Sequence, residues 1–312
     1  MKNDPEGGNL VKFDLISDFH VEMNVAYQTT SVWKEGEPLF YAWHKDRKSD
    51  VLVIAGDSSN RHEFTREIVV EAAEHYEHVM FVDGNHDHYS NYQNKWSVMR
   101  DMEWFNGQFN TNKKTVDNVT YLQGDFTHKV GRTLFIGENG WYNFSFAYGL
   151  SFKEQRKEWR DHSNDYVCIR YGKKNKPEKL AARQMQNLKA HVIAAQDDDT
   201  IDEIVVVTHT LPIHTAFGQF NNPSHPFYPL NGAYGNEFMK LVWEADEAKK
   251  IKTWCFGHTH ERRDFFEHGI HFVCNPRGYR GEKKWHGLGF AGIIQVDTEE
   301  EDIGSAFGTI EK

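Results

Sequence analysis

Seven side chains able to bind a metal stand just past short apolar runs. Asp18 and His20 follow 11–16, Asp57 follows 51–55, Asn85 follows 79–82, His209 follows 204–208, and His258 and His260 follow 251–256. Asp18, Asp57 and Asn85 offer oxygen, the four histidines offer imidazole nitrogen, and no thiolate takes part. Mixed nitrogen and oxygen donors suit Mn, Fe, Zn, Ni or Co and give little help to soft copper or iron–sulfur chemistry. The set is too large for one four-coordinate zinc and suits two divalent ions, with Mn the first expectation. Only Asp18 and Asp57 are anionic when the histidines bind as neutral imidazoles. Two dications then leave a surplus of about +2, which attracts phosphate and lowers the pKa of a bridging water towards ~7. The chemistry expected of such a set is hydrolysis of a phosphomonoester or phosphodiester by a metal-bridging hydroxide.

Elements must bring these residues together across the chain. Open α/β sheets place their sites at the carboxyl ends of strands. Asp18 and His20 are two apart at such an end, where alternate residues share a face, and His258 and His260 repeat the arrangement. Gly56, Gly84 and Gly257 come just before ligands, where a strand must turn sharply and let backbone approach a metal. His86 follows a ligand and precedes Asp87, so the sequence predicts a histidine beside the metals with Asp87 orienting it. That pair would serve as general acid for the leaving group, or as positive charge on the transition state.

The ordered blocks Asp18-x-His20, Gly56-Asp57-x-x-Asn60, Gly84-Asn85-His86-Asp87, His209 and Gly257-His258-x-His260 resemble the calcineurin-like metallophosphoesterase superfamily over residues 12–278. The resemblance implies one metal on Asp18, His20, Asp57 and His260, and a second on Asp57, Asn85, His209 and His258, with Asp57 bridging and His86 touching substrate. It also implies an α/β fold, a four-layer αββα sandwich of two mixed β-sheets flanked by helices. Cys274-Asn275-Pro276-Arg277-Gly278-Tyr279, Trp141-Tyr142-Asn143-Phe144 and Asn164-Asp165-Tyr166 are similar to a bacterial-type subgroup with no single substrate. Thr210 and Pro212 after His209 depart from the family's usual loop.

The chain has 312 residues, 14% aromatic and 39% hydrophobic, enough for a sizeable core. Ligands spread from Asp18 to His260 need nearly the whole chain at once, so one domain over 1–312 is expected, with a cap or insert around 138–180. No apolar stretch approaches the ~18 residues of a membrane span, and Met1–Leu10 carries no apolar signal core. Cys168, Cys255 and Cys274 form no CxxC and no even framework, which implies reduced thiols and a cytoplasmic location. Helical patterns fall at 61–76, 91–105, 151–160, 178–196 and 235–247. Further strands are expected at 120–123, 133–137, 271–274 and 292–296.

Substrate choice falls to the interval between Asn85 and His209. Residues 153–176 carry eight Lys/Arg against four Asp/Glu, with Trp159, Tyr166 and Tyr171 interleaved. The run reads either as a cap that stacks on a base or as a solvated charged face, the commoner use of such runs. Arg277 and Arg280 are candidate phosphate clamps just after the last ligand block. The expected partner is a phosphorylated small molecule or nucleotide. A nuclease of the same superfamily is an alternative, although a net charge of −10 weighs against broad nucleic-acid contact. A non-catalytic scaffold is the other, and the complete ligand set with His86 weighs against it.

Overall fold

A computed structural model of the chain describes residues 11–24, 43–89, 96–111, 116–279, 282 and 292–298. The strands are β1 (Lys12–Ile16), β2 (Val51–Ala55), β3 (His78–Val82), β4 (Val119–Tyr121), β5 (His128–Val130), β6 (Thr133–Glu138), β7 (Glu203–Thr208), β8 (Ile251–Phe256), β9 (Arg263–Glu267), β10 (Ile270–Cys274) and β11 (Ile294–Asp297). They form two sheets, ordered β11-β1-β2-β3-β4 and β5-β6-β7-β8-β10-β9. Both are mixed. β1 to β4 run parallel with β11 antiparallel, and β6, β7, β8 and β10 run parallel with β5 and β9 antiparallel at the two edges.

The uninterrupted apolar runs of β2 and β7 explain why these strands lie inside. A parallel strand covered on both faces has no polar side to show, and every residue of β2, β6, β7 and β10 is buried. The sheets meet face to face through Phe13, Leu15, Val53 and Met80 from one and Phe135, Val205, Val207 and Val273 from the other. Helices His62–Ala73 and Val98–Phe109 cover the outer face of the first sheet, through Ile68, Val69, Phe105 and Phe109. Helix Pro177–Gln196 covers the second through Met185, Leu188 and Val192. The αββα sandwich expected from the sequence is therefore present.

Helix Phe152–His162 starts at a capping box, in which Ser151 and Glu154 each accept from the other's backbone N–H. This satisfies amides that the first helical turn leaves without partners. The helix carries Trp159 into a cluster with Trp141, Tyr142, Phe144 and Tyr171. Trp159 and Tyr171 are thus core residues and not a stacking platform for a base, while Lys153, Lys157, Arg160, Arg170, Lys173 and Lys174 face solvent. The tract near 235–247 is shorter than expected, a 3₁₀ turn at Glu237–Met239 followed by Lys240–Trp243. No helix among the described residues is long and apolar enough to cross a membrane.

Candidate metal centre

β1, β2 and β3 of one sheet and β7 and β8 of the other release the chain at a common edge, and the seven expected ligands all leave from these strand ends. The turns that aim them are strained. Asp18, His20, Asp57, His258 and His260 adopt positive φ of 49, 41, 54, 73 and 50°. A non-glycine residue in that region costs on the order of 1–3 kcal/mol, and it persists where the surroundings impose it. Hydrogen bonds from the backbone N–H of Asp18 to Gly56 O and of His20 to Asp57 O, both 3.0 Å, lock two of these turns together. Glycines make room for the rest. A Cβ on Gly257 would lie 2.7 Å from Asp18 Oδ2, and one on Gly56 2.5 Å from His209 Nδ1.

The functional atoms converge on Asp57. Its Oδ2 lies 3.2 Å from His209 Nε2 and 3.6 Å from His20 Nε2. His20 Nε2 is 2.9 Å from His260 Nε2, which is 3.5 Å from Asp18 Oδ1. Asn85 Oδ1 is 3.0 Å from His209 Nε2. Asp18, His20, Asp57 and His260 form one group able to hold a metal ion, and Asp57, His209 and His258 form another, with donor atoms in each within 4.8 Å. Asp57 belongs to both. Its Oδ2 is buried with no hydrogen bond among the described residues, an arrangement that is expensive for a carboxylate in a dry site and natural for one that takes cations. The donor set therefore fits divalent metals.

The charges agree. Burial pushes the Asp57 carboxyl up, but the imidazoles of His209, His86 and His20 outweigh it and hold the group well below the usual carboxylate range. Burial likewise lowers the His209 imidazole, and the Asp57 charge reverses this to bring it up to about 10. His20 and His258 are driven the other way, first by burial, with His258 brought to about 3. Both thus stand as neutral imidazoles, the form in which histidine ligates a metal. Outer contacts fix the rings. His209 Nδ1 faces Ala55 O at 3.0 Å, His260 Nδ1 faces Glu282 Oε2 at 2.8 Å, and Ser17 Oγ donates to Asp18 Oδ2 at 2.5 Å.

His86 stands at the edge of this group, its ring 4.6 Å from that of His20. Asp87 does not orient it, which corrects the sequence expectation. Residues 86–88 form a 3₁₀ turn, in which successive side chains point about a third of a turn apart. Asp87 consequently points inward and ties loops together. It accepts from the N–H groups of Gly84 at 2.7 Å, Asp57 at 3.0 Å and Ser59 at 3.3 Å, and from the Thr65 hydroxyl at 2.5 Å. Burial, and then the Asp57 charge, push its carboxyl up to about 7. Asn60 takes the orienting role, its Oδ1 2.6 Å from His86 Nδ1.

A cleft of about 280 Å³ opens over the centre, with His86, Tyr89, Asp165, Tyr234, Tyr279 and Glu282 among its walls. Tyr279 is a wall residue that the sequence does not predict. Its hydroxyl is 3.1 Å from His86 Nε2, and its ring lies 4.5 Å from His20 and 4.6 Å from His260. Arg277, two residues earlier, is not in the lining. Its guanidinium lies 4.6 Å from the Phe19 ring centroid, and its N–H donates to Ser17 O. Arg280 lies outside the described residues. The cleft lining among the described residues contains no Lys or Arg.

A family model described as calcineurin-like phosphoesterase matches residues 11–262, a span containing all seven ligand positions. Among solved structures, the phosphopantetheinyl hydrolase of Mycobacterium tuberculosis is similar in fold, with TM-score 0.69 and 16% identity over 93% of this chain and 97% of that one. A dimetal phosphatase from Danio rerio is a looser match, with TM-score 0.42 and 14% identity over 85% of this chain and 87% of that one. No curated protein matches the sequence.

Proposed function

Because this chain belongs to the calcineurin-like phosphoesterase family, we propose that it hydrolyses a small phosphorylated substrate, as a mono- or diester, at a pair of divalent metals. Membership makes it a phosphate ester hydrolase; the metal pair and the substrate are the further steps. Asp18, His20, Asp57 and His260 would hold one ion, and Asp57, Asn85, His209 and His258 the other, Mn being favoured. The observation that carries this reading is Asp57 Oδ2, buried without a hydrogen bond among the described residues, on a side chain shared by both donor groups. When bound, such a pair supplies Lewis acidity and a water that ionises near neutral pH.

The chain's own groups then divide the remaining work. With Asn60 Oδ1 accepting at 2.6 Å, the His86 proton is held on Nδ1, and Nε2 is the atom presented to the cleft. Protonated there, it can donate to a leaving alkoxide. Burial, followed by the charges of Asp57 and Glu282, pushes the Tyr279 phenol up, so it serves as a neutral donor to a phosphate oxygen. Two observations favour a small substrate over nucleic acid. The described cleft lining has Asp165 and Glu282 but no Lys or Arg, and Lys153, Lys157, Arg160, Arg170, Lys173 and Lys174 of the 153–176 run are exposed. A polyanion would meet repulsion there beyond a single phosphate. Residues 1–312 would act as one unit, with 138–180 closing over the metals.

Chelation followed by Mn²⁺, Fe²⁺, Zn²⁺, Ni²⁺ or Co²⁺ add-back tests the reading. The substrates are p-nitrophenyl phosphate, bis-p-nitrophenyl phosphate, a phosphopantetheinyl ester and a single-stranded oligonucleotide. Hydrolysis of the small esters should vanish on chelation and return with metal, Mn²⁺ first. Full activity in metal-free protein, or activity on the oligonucleotide alone, would overturn it.

A further inference from the structure

Asp165 carries none of the expected ligand roles, yet it is the group that holds Asn85. It lies on the short helix Asn164–Cys168, where its N–H donates to the hydroxyl of the N-cap Ser163 at 3.2 Å. Its carboxylate is buried and accepts three hydrogen bonds. Asn85 Nδ2 at 2.9 Å and the Tyr89 hydroxyl at 2.7 Å reach Oδ1, and the Tyr142 hydroxyl at 3.0 Å reaches Oδ2. Tyr142 is itself 2.7 Å from the Tyr171 hydroxyl, so the cap's aromatic cluster braces the carboxylate from behind.

An amide side chain has an accepting end and a donating end of nearly equal shape, and only the accepting end can bind a metal. A carboxylate can only accept, so Asp165 admits the Nδ2 end of Asn85 alone. The Oδ1 end is left facing His209 Nε2 at 3.0 Å, in the second donor group. We propose that Asp165 is a positioning residue of the metal centre, which fixes the Asn85 amide with its oxygen towards the second metal and so makes retention of that metal depend on the 138–180 region. This rests on the metal pair proposed above. It gives the cap a role in assembling the site, distinct from contact with substrate.

The test is a cycle of Mn²⁺ binding, followed by calorimetry and elemental analysis on the full chain. Wild type is compared with Asp165→Ala, Asn85→Asp and the double variant. Asp165→Ala should weaken the second Mn²⁺ by about 10–100-fold, the usual scale for an outer partner of a ligand. In the Asn85→Asp background the sign should reverse. A carboxylate at position 85 presents oxygen whichever way it turns, and it is repelled by Asp165, so removing Asp165 should tighten Mn²⁺ binding. A role confined to packing the short helix would weaken both backgrounds equally, and that result overturns the inference. Should Asp165→Ala fail to fold, the isosteric Asp165→Asn carries the same cycle. It keeps an acceptor for Asn85 and so leaves wild-type binding within a few-fold, but it can turn a donor towards a carboxylate at 85 and should improve that variant. Equal changes in both backgrounds again overturn the inference. Wild type binding fewer than two Mn²⁺ overturns the metal pair itself, whereas wild type binding two with Asp165→Ala unchanged overturns the role of Asp165 alone.

Discussion

His86 touches its surroundings through both ring nitrogens and one ring face, and each contact limits what it can do. Nδ1 is engaged by Asn60, Nε2 is 3.1 Å from the Tyr279 hydroxyl, and the ring stacks on Tyr89 at 4.1 Å. The His86 ring also lies 4.6 Å from that of His20, and the two, with Glu22, form a further group able to hold a metal ion. Asn60, Tyr279 and Tyr89, however, are not expected ligands, and the His86 backbone N–H donates to Asp57 Oδ1 at 2.8 Å whatever the side chain is. Replacing the imidazole should therefore separate chemistry from metal binding. His86→Gln is expected to keep the wild-type metal content while kcat falls by ~10²–10⁴-fold, the range for a lost acid–base group. The loss should shrink for p-nitrophenolate, which hardly needs a proton to leave, and grow for an alkyl ester. Equal losses on both esters would assign His86 to the phosphate charge, and loss of metal would place it among the ligands.

Strand ends decide where the ligands go, and the glycines decide how close they come. Gly84 follows β3 by two residues, and a methyl group there would overlap Asp57 Oδ1 and the Asp57 nitrogen. Gly84→Ala should leave the sheets intact, since the strand ends at Val82, but displace Asp57 from both donor groups. Elemental analysis should find well under two metals per chain, and activity should fall by at least about 10²-fold, as for a misplacement near 1 Å. Full metal content with wild-type rates would show that the turn yields without moving Asp57. The same strand ends explain what could be read beforehand. Buried parallel strands read as near-continuous apolar runs, so β2, β3 and β7 stand out, β1 and β8 do so despite Lys12, Asp14 and Lys252, and whatever follows them is a candidate ligand. β5 and β9 are short edge strands with no fully buried residue, and they carry no such signal. The Asp87 expectation failed because neighbours in sequence diverge in a 3₁₀ turn. Asp165 stands in the Asn164-Asp165-Tyr166 block, but it meets Asn85 across 80 residues, and nothing local to either records that contact. Tyr279 stands in the Asn275-Pro276-Arg277-Gly278-Tyr279 block, but Arg277 carries the charge there, and a phenol has no spacing pattern that marks it as a site residue.

Behind the metal edge, one buried charged group ties the layers of the whole molecule. His88 Nε2 lies 2.6 Å from Asp83 Oδ2 and Nδ1 lies 3.1 Å from Asp101 Oδ2, so both nitrogens face carboxylates and both carry protons. Asp83 extends from β3 and Asp101 belongs to helix Val98–Phe109. The Tyr121 hydroxyl of β4 and, at 3.2 Å, Asn139 Nδ2 beyond β6 of the other sheet also donate to Asp83. Burial alone would lower the His88 imidazole; the hydrogen bonds and charges of Asp101 and Asp83 outweigh it and bring the group up to about 10 from 6.5. A folded pKa above the unfolded one stabilises fully below 6.5, where both states hold the proton, and the contribution is lost as pH rises towards 10. Urea unfolding in excess EDTA should therefore find His88→Gln most destabilised near pH 6, with the gap to wild type closing by at most ~1.4 kcal/mol per pH unit above that. Glu138, pushed up to about 8 by burial, titrates in both proteins and cancels from the difference. A gap that stays constant from about pH 6 to about pH 9.5 would mean that the folded state holds His88 neutral, and that shape rather than charge joins the layers here.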